Sequence, residues 1–169
     1  MIENHSWGSK RVMGLLLALS LLIGTVPGTS AIAASSLPKL EVVGRDKTVL
    51  SVVVPRNTTV EQLKALILQF RTARKSNSLS TMIPATTPGG QFGDYAIVWI
   101  FVFTERDWAS ADKLQRFITS SANSATDREY DRTFARHIKA EYLYSNLEEH
   151  GSLGYDDGVA RSSTYKKLF

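Results

Sequence analysis

Nine consecutive apolar residues, Tyr95 to Phe103 (YAIVWIFVF), place the tightest constraint on how this chain can fold. The run is short for a buried helix, and its β-branched and aromatic side chains suit a pleated surface. Neither face of such a strand is polar, so both must be covered. The sequence therefore predicts a central strand of a sheet, packed on two sides.

The flanking segments fill in the sheet. Lys39–Val43 and Lys47–Val54 are rich in β-branched residues and bracket Gly44-Arg45-Asp46, the pattern of a β-hairpin, with Pro55 ending the second strand. Thr58 and Glu61 form a capping-box pair before Val60, Leu63, Leu66, Ile67 and Phe70, which predicts a helix over 59–75. Residues 76–93, with Pro84 and Pro88-Gly89-Gly90, read as a long loop. Thr104 with Asp107 is expected to open a second helix, with Trp108, Ala111, Leu114, Phe117 and Ile118 as its apolar stripe, ending near 120–123. From Phe134 to Tyr144 apolar and polar residues alternate, as in a half-buried strand, and the polar face places that strand toward an edge. After Asn146 the chain reads as an irregular, glycine-rich tail, with a small hairpin turned at Asp157-Gly158 between 153–155 and 159–161. The predicted fold class is α+β or α/β: a single-domain two-layer sandwich with a mixed sheet of about four strands and two helices, in the order β-β-α-β-α-β.

The N-terminus carries a different message. Lys10 and Arg11 precede Val12–Val26, fifteen residues without a charge, which Pro27-Gly28 ends. Ala31-Ile32-Ala33 then supplies small side chains at the −3 and −1 positions of a leader cleavage site. The apolar run is shorter than the ~20 residues of a spanning helix. The expectation is a cleavable signal peptide over 1–33, a short linker over 34–38, one globular domain over 39–169, and a periplasmic or extracellular location with no membrane anchor after cleavage.

Removing 33 of 169 residues leaves 136, enough for one self-sufficient core. The chain has no cysteine, which excludes disulfides, lipid attachment at cysteine, thiol nucleophiles and cysteine zinc sites. Without the leader, Lys+Arg falls from 20 to 18 and Asp+Glu from 16 to 15, a net charge of +3. Cations and anions are interspersed, without the clustered basic face of a nucleic-acid binder.

Few residues offer chemistry. His137, Glu141 and His150 are the candidates for general acid–base work, because imidazole titrates near neutrality. Glu149, His150 and Asp156 are the candidate metal ligands, within a group that also holds Glu148 and Asp157. Their spacing matches no established metal motif, and aspartates in such a segment commonly bond their own backbone. No GxSxG elbow frames Ser145 or Ser152. The glycines of 88–93 precede a strand instead of opening a helix, unlike a phosphate loop. Tyr155 and Tyr165, in the tail, are the candidate exposed binding aromatics, whereas Trp99 and Trp108 are expected in the core. Asn57-Thr58-Thr59 fits a glycosylation sequon, but Thr58 is claimed by the predicted helix cap. These features predict no cofactor. They favour an exported, non-enzymatic module that binds another protein or an envelope component, against a small hydrolase or metal-dependent enzyme built on His137 and His150, or a small-molecule carrier.

Overall fold

The computed structural model describes residues 36–83 and 98–169, apart from 122 and 146. The expected leader, residues 84–93 of the expected loop and the first residues of the apolar run lie outside them.

Six strands form one sheet in sequence order: β1 (Glu41–Asp46), β2 (Val49–Val53), β3 (Val98–Phe103), β4 (Ala140–Tyr144), β5 (Glu149–Leu153) and β6 (Lys166–Lys167). Neighbours are antiparallel except β2 and β3, which are parallel. The connection between these two carries α1 (Val60–Lys75) and the short α2 (Leu79–Met82), and α3 (Ala111–Thr119) and α4 (Ala125–His137) lie between β3 and β4. The described residues form a mixed α+β fold with a six-stranded sheet and four helices, two strands and two helices more than the sequence led us to expect. Among the described residues no helix is long and apolar enough to cross a membrane.

β3 is buried on both faces, as its composition requires. Val98, Ile100 and Val102 face one core with Leu50, Val52, Tyr142 and the α1 residues Leu63, Leu66, Ile67 and Phe70. Trp99, Phe101 and Phe103 face the other, with Leu114 and Phe117 of α3 and Phe134 and Ala135 of α4. Helices thus cover both faces, and the two-layer expectation gives way to three layers. The period-2 alternation of β3 divides its side chains between the two cores.

Local chemistry moves several boundaries. The capping box forms one residue later than expected: Thr59 and Gln62 exchange side-chain and backbone hydrogen bonds, while the Thr58 hydroxyl donates to the Pro55 carbonyl. The hairpin turns at Lys47, whose φ is +53°, and not at Gly44. Gly44 instead follows a bulge in β1, where any Cβ would collide with the Ser51 hydroxyl and the Ala109 carbonyl. The segment Thr104–Ala109 makes turns, so the second long helix begins only after Ser110, and Trp108 precedes it.

The largest correction concerns 134–144. Phe134–His137 is the last turn of α4, capped at its start by Ser124, and the strand begins at Ala140. Phe134 and Ile138 are four residues apart, a spacing that fits one face of a helix and also, being even, one face of a strand. With Ala140, Tyr142 and Tyr144 they mimic a continuous alternation. Nor is β4 near an edge, since β3 and β5 pair with it on either side. Its polar position Glu141 is buried by hydrogen bonding, not left to solvent. The tail is also more regular than expected: β5 and β6 complete the sheet, and the 153–161 hairpin reduces to a single Asp156–Arg161 bridge.

Candidate functional site

Strand register assembles the site. Trp99, Leu143 and His150 stand in one row across β3, β4 and β5, and Phe101, Glu141 and Ser152 stand in the next, all on the face shared with α3 and α4. Tyr155 covers the far side: its ring stacks on Trp99 at 6.2 Å and meets Phe101 and Phe117 edge-on. A cleft of about 230 Å³ remains between these groups, with Glu141 at its floor and Glu148, His150, Asp156 and Asp157 around it. A wider hollow of about 550 Å³ lies between α3 and α4, but its lining, including Arg116 and Tyr130, brings together no histidine–carboxylate set.

Glu141 is 2% exposed and receives hydrogen bonds on both oxygens. The Trp99 indole N–H donates to Oε2 at 3.1 Å. The Ser152 hydroxyl lies 3.1 Å from Oε1, and His150 Nε2 lies 3.2 Å from the same atom. Burial pushes the Glu141 carboxyl up to about 7, against the opposing pull of the Trp99 and Ser152 hydrogen bonds. Burial also lowers the affinity of His150 for a proton, and the nearby Lys167 charge adds to this. Both shifts act against charge, so the Glu141–His150 contact is favoured as a hydrogen bond over an ion pair.

The carboxylates of the tail are spent on structure. Asp157 Oδ1 accepts from the Val159 and Ala160 amides, and its Oδ2 accepts from the Tyr155 hydroxyl at 2.9 Å. Asp156 accepts from the Gly158 amide and pairs with Arg161. These are the backbone-bonding roles that turn aspartates commonly take.

The structure divides the sequence candidates. It brings Glu141, His150 and Asp156 to one cleft. Glu149 is on the opposite face of the sheet, where Arg71 Nε lies 3.0 Å away and the Tyr142 hydroxyl donates to it. Alternation along β5 enforces this separation of neighbours. His137 ends α4, with Nδ1 2.7 Å from Glu105 Oε2 and its ring stacked 4.0 Å from Trp108. Tyr155 is 2% exposed and part of the core, contrary to expectation, whereas Tyr165 is partly exposed with Arg161 over its ring. Trp99 and Ser152 emerge as the partners of Glu141, and only the register of β3, β4 and β5 places them there.

No family model, no curated protein and no solved structure matches this chain. Among the described residues, no group of three or more histidines and carboxylates is arranged to hold a metal ion.

Proposed function

We propose that this protein is an exported binding module and that the cleft over Glu141 is its recognition site. One observation carries the reading: a buried carboxyl, poised between its charged and neutral forms, forms the floor of a concavity walled by Trp99 and His150. Concave sites with a few converging polar groups and a perturbed titrating group are the usual form of a ligand site. The leader-like N-terminus supports export, and the absence of cysteine suits a chain that folds unaided in that compartment.

A second reading has one observation in its favour. Glu141 and His150 lie within hydrogen-bond distance at 3.2 Å and could act as a general acid–base pair. The hydrolase form of that reading fares worse, because Ser152 is fully buried and bonded to Glu141 and Gly154, and His137 is engaged with Glu105 and Trp108.

A small-molecule library screened by NMR against the purified protein separates these readings. The binding reading expects hits that move the Trp99 indole N–H resonance and remain chemically unchanged. Hits that perturb only residues distant from the cleft would overturn it, and hits converted to product would favour the enzyme.

A further inference from the structure

Resting on that reading of the cleft, we propose that its ligand is a small organic cation, a primary ammonium on a short alkyl chain, which takes the place of the proton on Glu141. Glu141 lacks a full counter-charge. Glu141 is buried, yet its partners are an indole N–H, a hydroxyl and an imidazole, and among the described residues no lysine or arginine forms an ion pair with it. A buried carboxylate without a cation is costly, so it holds a proton or acquires a positive partner.

The surrounding groups add to the negative field of Glu141. Trp99 faces Glu141 from β3, and Ser152 and His150 face it from β5. Glu148 comes from the β4–β5 turn, and Tyr155, Asp156 and Asp157 come from the segment after β5. The Lys167 charge of β6 acts on His150. Asp156 is balanced by Arg161, whereas among the described residues no ion pair joins Asp157 or Glu148 to a cation, and both add negative potential at the cleft. A chain with a net charge of +4 thus carries a locally acidic hollow.

The Trp99 indole forms an apolar wall beside the carboxyl, against which a short alkyl chain can pack. At about 230 Å³ the cleft is smaller than the ~300–1,000 Å³ of drug-sized sites, so it suits a head group. An ammonium brings three N–H donors to a floor of acceptor oxygens. Charge balances in the exchange: the cation enters, Glu141 becomes a carboxylate, and one proton leaves to solvent. Binding therefore competes with protonation and weakens in acid.

The test is a titration of the protein purified from expressing cells with n-butylammonium, n-butanol and butyrate, read at the Trp99 indole N–H. We expect butylammonium alone to saturate the shift. Its affinity should be about tenfold weaker at pH 6 than at pH 8, the loss set by a carboxyl that titrates near 7. Glu141→Gln should abolish binding, and calorimetry in buffers of different ionisation enthalpy should show proton release by the unmodified protein. Nα-acetyl-lysine amide binding as well as butylammonium would identify a protein side chain as the source, and weaker binding would identify a free amine. Saturation by butanol or butyrate, with none by butylammonium, would overturn the cation inference and leave the recognition cleft standing. No response at Trp99 to any of the three probes, or undiminished butylammonium binding by Glu141→Gln, would also overturn the inference.

Discussion

The side-chain oxygens of Glu141 and Ser152 face each other at 3.1 Å across the β4–β5 pair, while the same serine hydroxyl lies 2.8 Å from the Gly154 carbonyl. A hydroxyl has one proton to give, and a carbonyl oxygen can only accept. If Ser152 donates to Gly154, its contact with Glu141 is satisfied only when the carboxyl itself carries a proton. With one proton to share between two acceptors, Ser152 offsets only part of the burial effect, and folding favours the protonated form of Glu141.

That preference sets a pH dependence of stability. The Glu141 carboxyl is raised from 4.5 to about 7 in the folded protein, so the fold binds this proton more tightly than the unfolded chain does. Its stabilising effect is complete below the unfolded value and is lost as pH rises through about 7, a change of up to ~3 kcal/mol. Glu141→Gln, which keeps donors and acceptors but no charge, should gain stability relative to the unmodified protein between pH 5 and pH 8. Urea denaturation at both values measures this, and a pH-independent difference would contradict it.

β3 should be the most sensitive strand on both of its faces. Ile100 and Phe101 are fully buried, in the α1 core and the α3–α4 core respectively. Replacing either with Ala should cost ~2–5 kcal/mol through lost burial and the cavity left behind. Losses below ~1 kcal/mol at both positions would mean that the two cores are not built around this strand.

The Tyr155–Asp157 segment lines the cleft, and the ring and the hydroxyl of Tyr155 should contribute separately to stability. Tyr155→Phe keeps the ring contacts and loses only the bond to Asp157, an expected cost of about 1 kcal/mol. Tyr155→Ala removes contacts with Trp99, Phe101 and Phe117 and should cost ~3–5 kcal/mol. Thermal melts of the pair should differ clearly, and equal losses would argue against Tyr155 as a core aromatic.

Export has its own test. Mass spectrometry of protein recovered outside the cytoplasm should give an N-terminus at or near Ala34. A product that retains residues 12–26 and fractionates with membranes would refute the leader assignment.

β2 and β3 were legible because their composition alone calls for burial on both faces, and α1 was legible because its apolar stripe is uninterrupted. α4 was not, since its polar composition resembles a linker and its buried Phe134 falls, with Ile138 just beyond the helix, on an even spacing that a strand also satisfies. Glu141 and His150 could be named from their chemistry. Their meeting could not be foreseen, because it depends on Leu143 pairing with His150 and Glu141 pairing with Ser152 in a hairpin whose second strand read as irregular. A one-residue slip would have sent Glu149 to the cleft and His150 to Arg71. Tyr155 misled for a simpler reason: a tyrosine among turn residues looks exposed until Phe101 and Phe117 are found beneath it.

The most direct test of the account is a ¹³C NMR titration of the glutamate side-chain carboxyls, with Glu141→Gln identifying the resonance. The account predicts one carboxyl with a midpoint near pH 7, absent from the variant and accompanied by a matching shift of the Trp99 indole N–H. If the resonance lost in Glu141→Gln completes its titration near pH 4.5, the cleft holds an ordinary carboxylate at neutrality and the proton-poised recognition site is wrong.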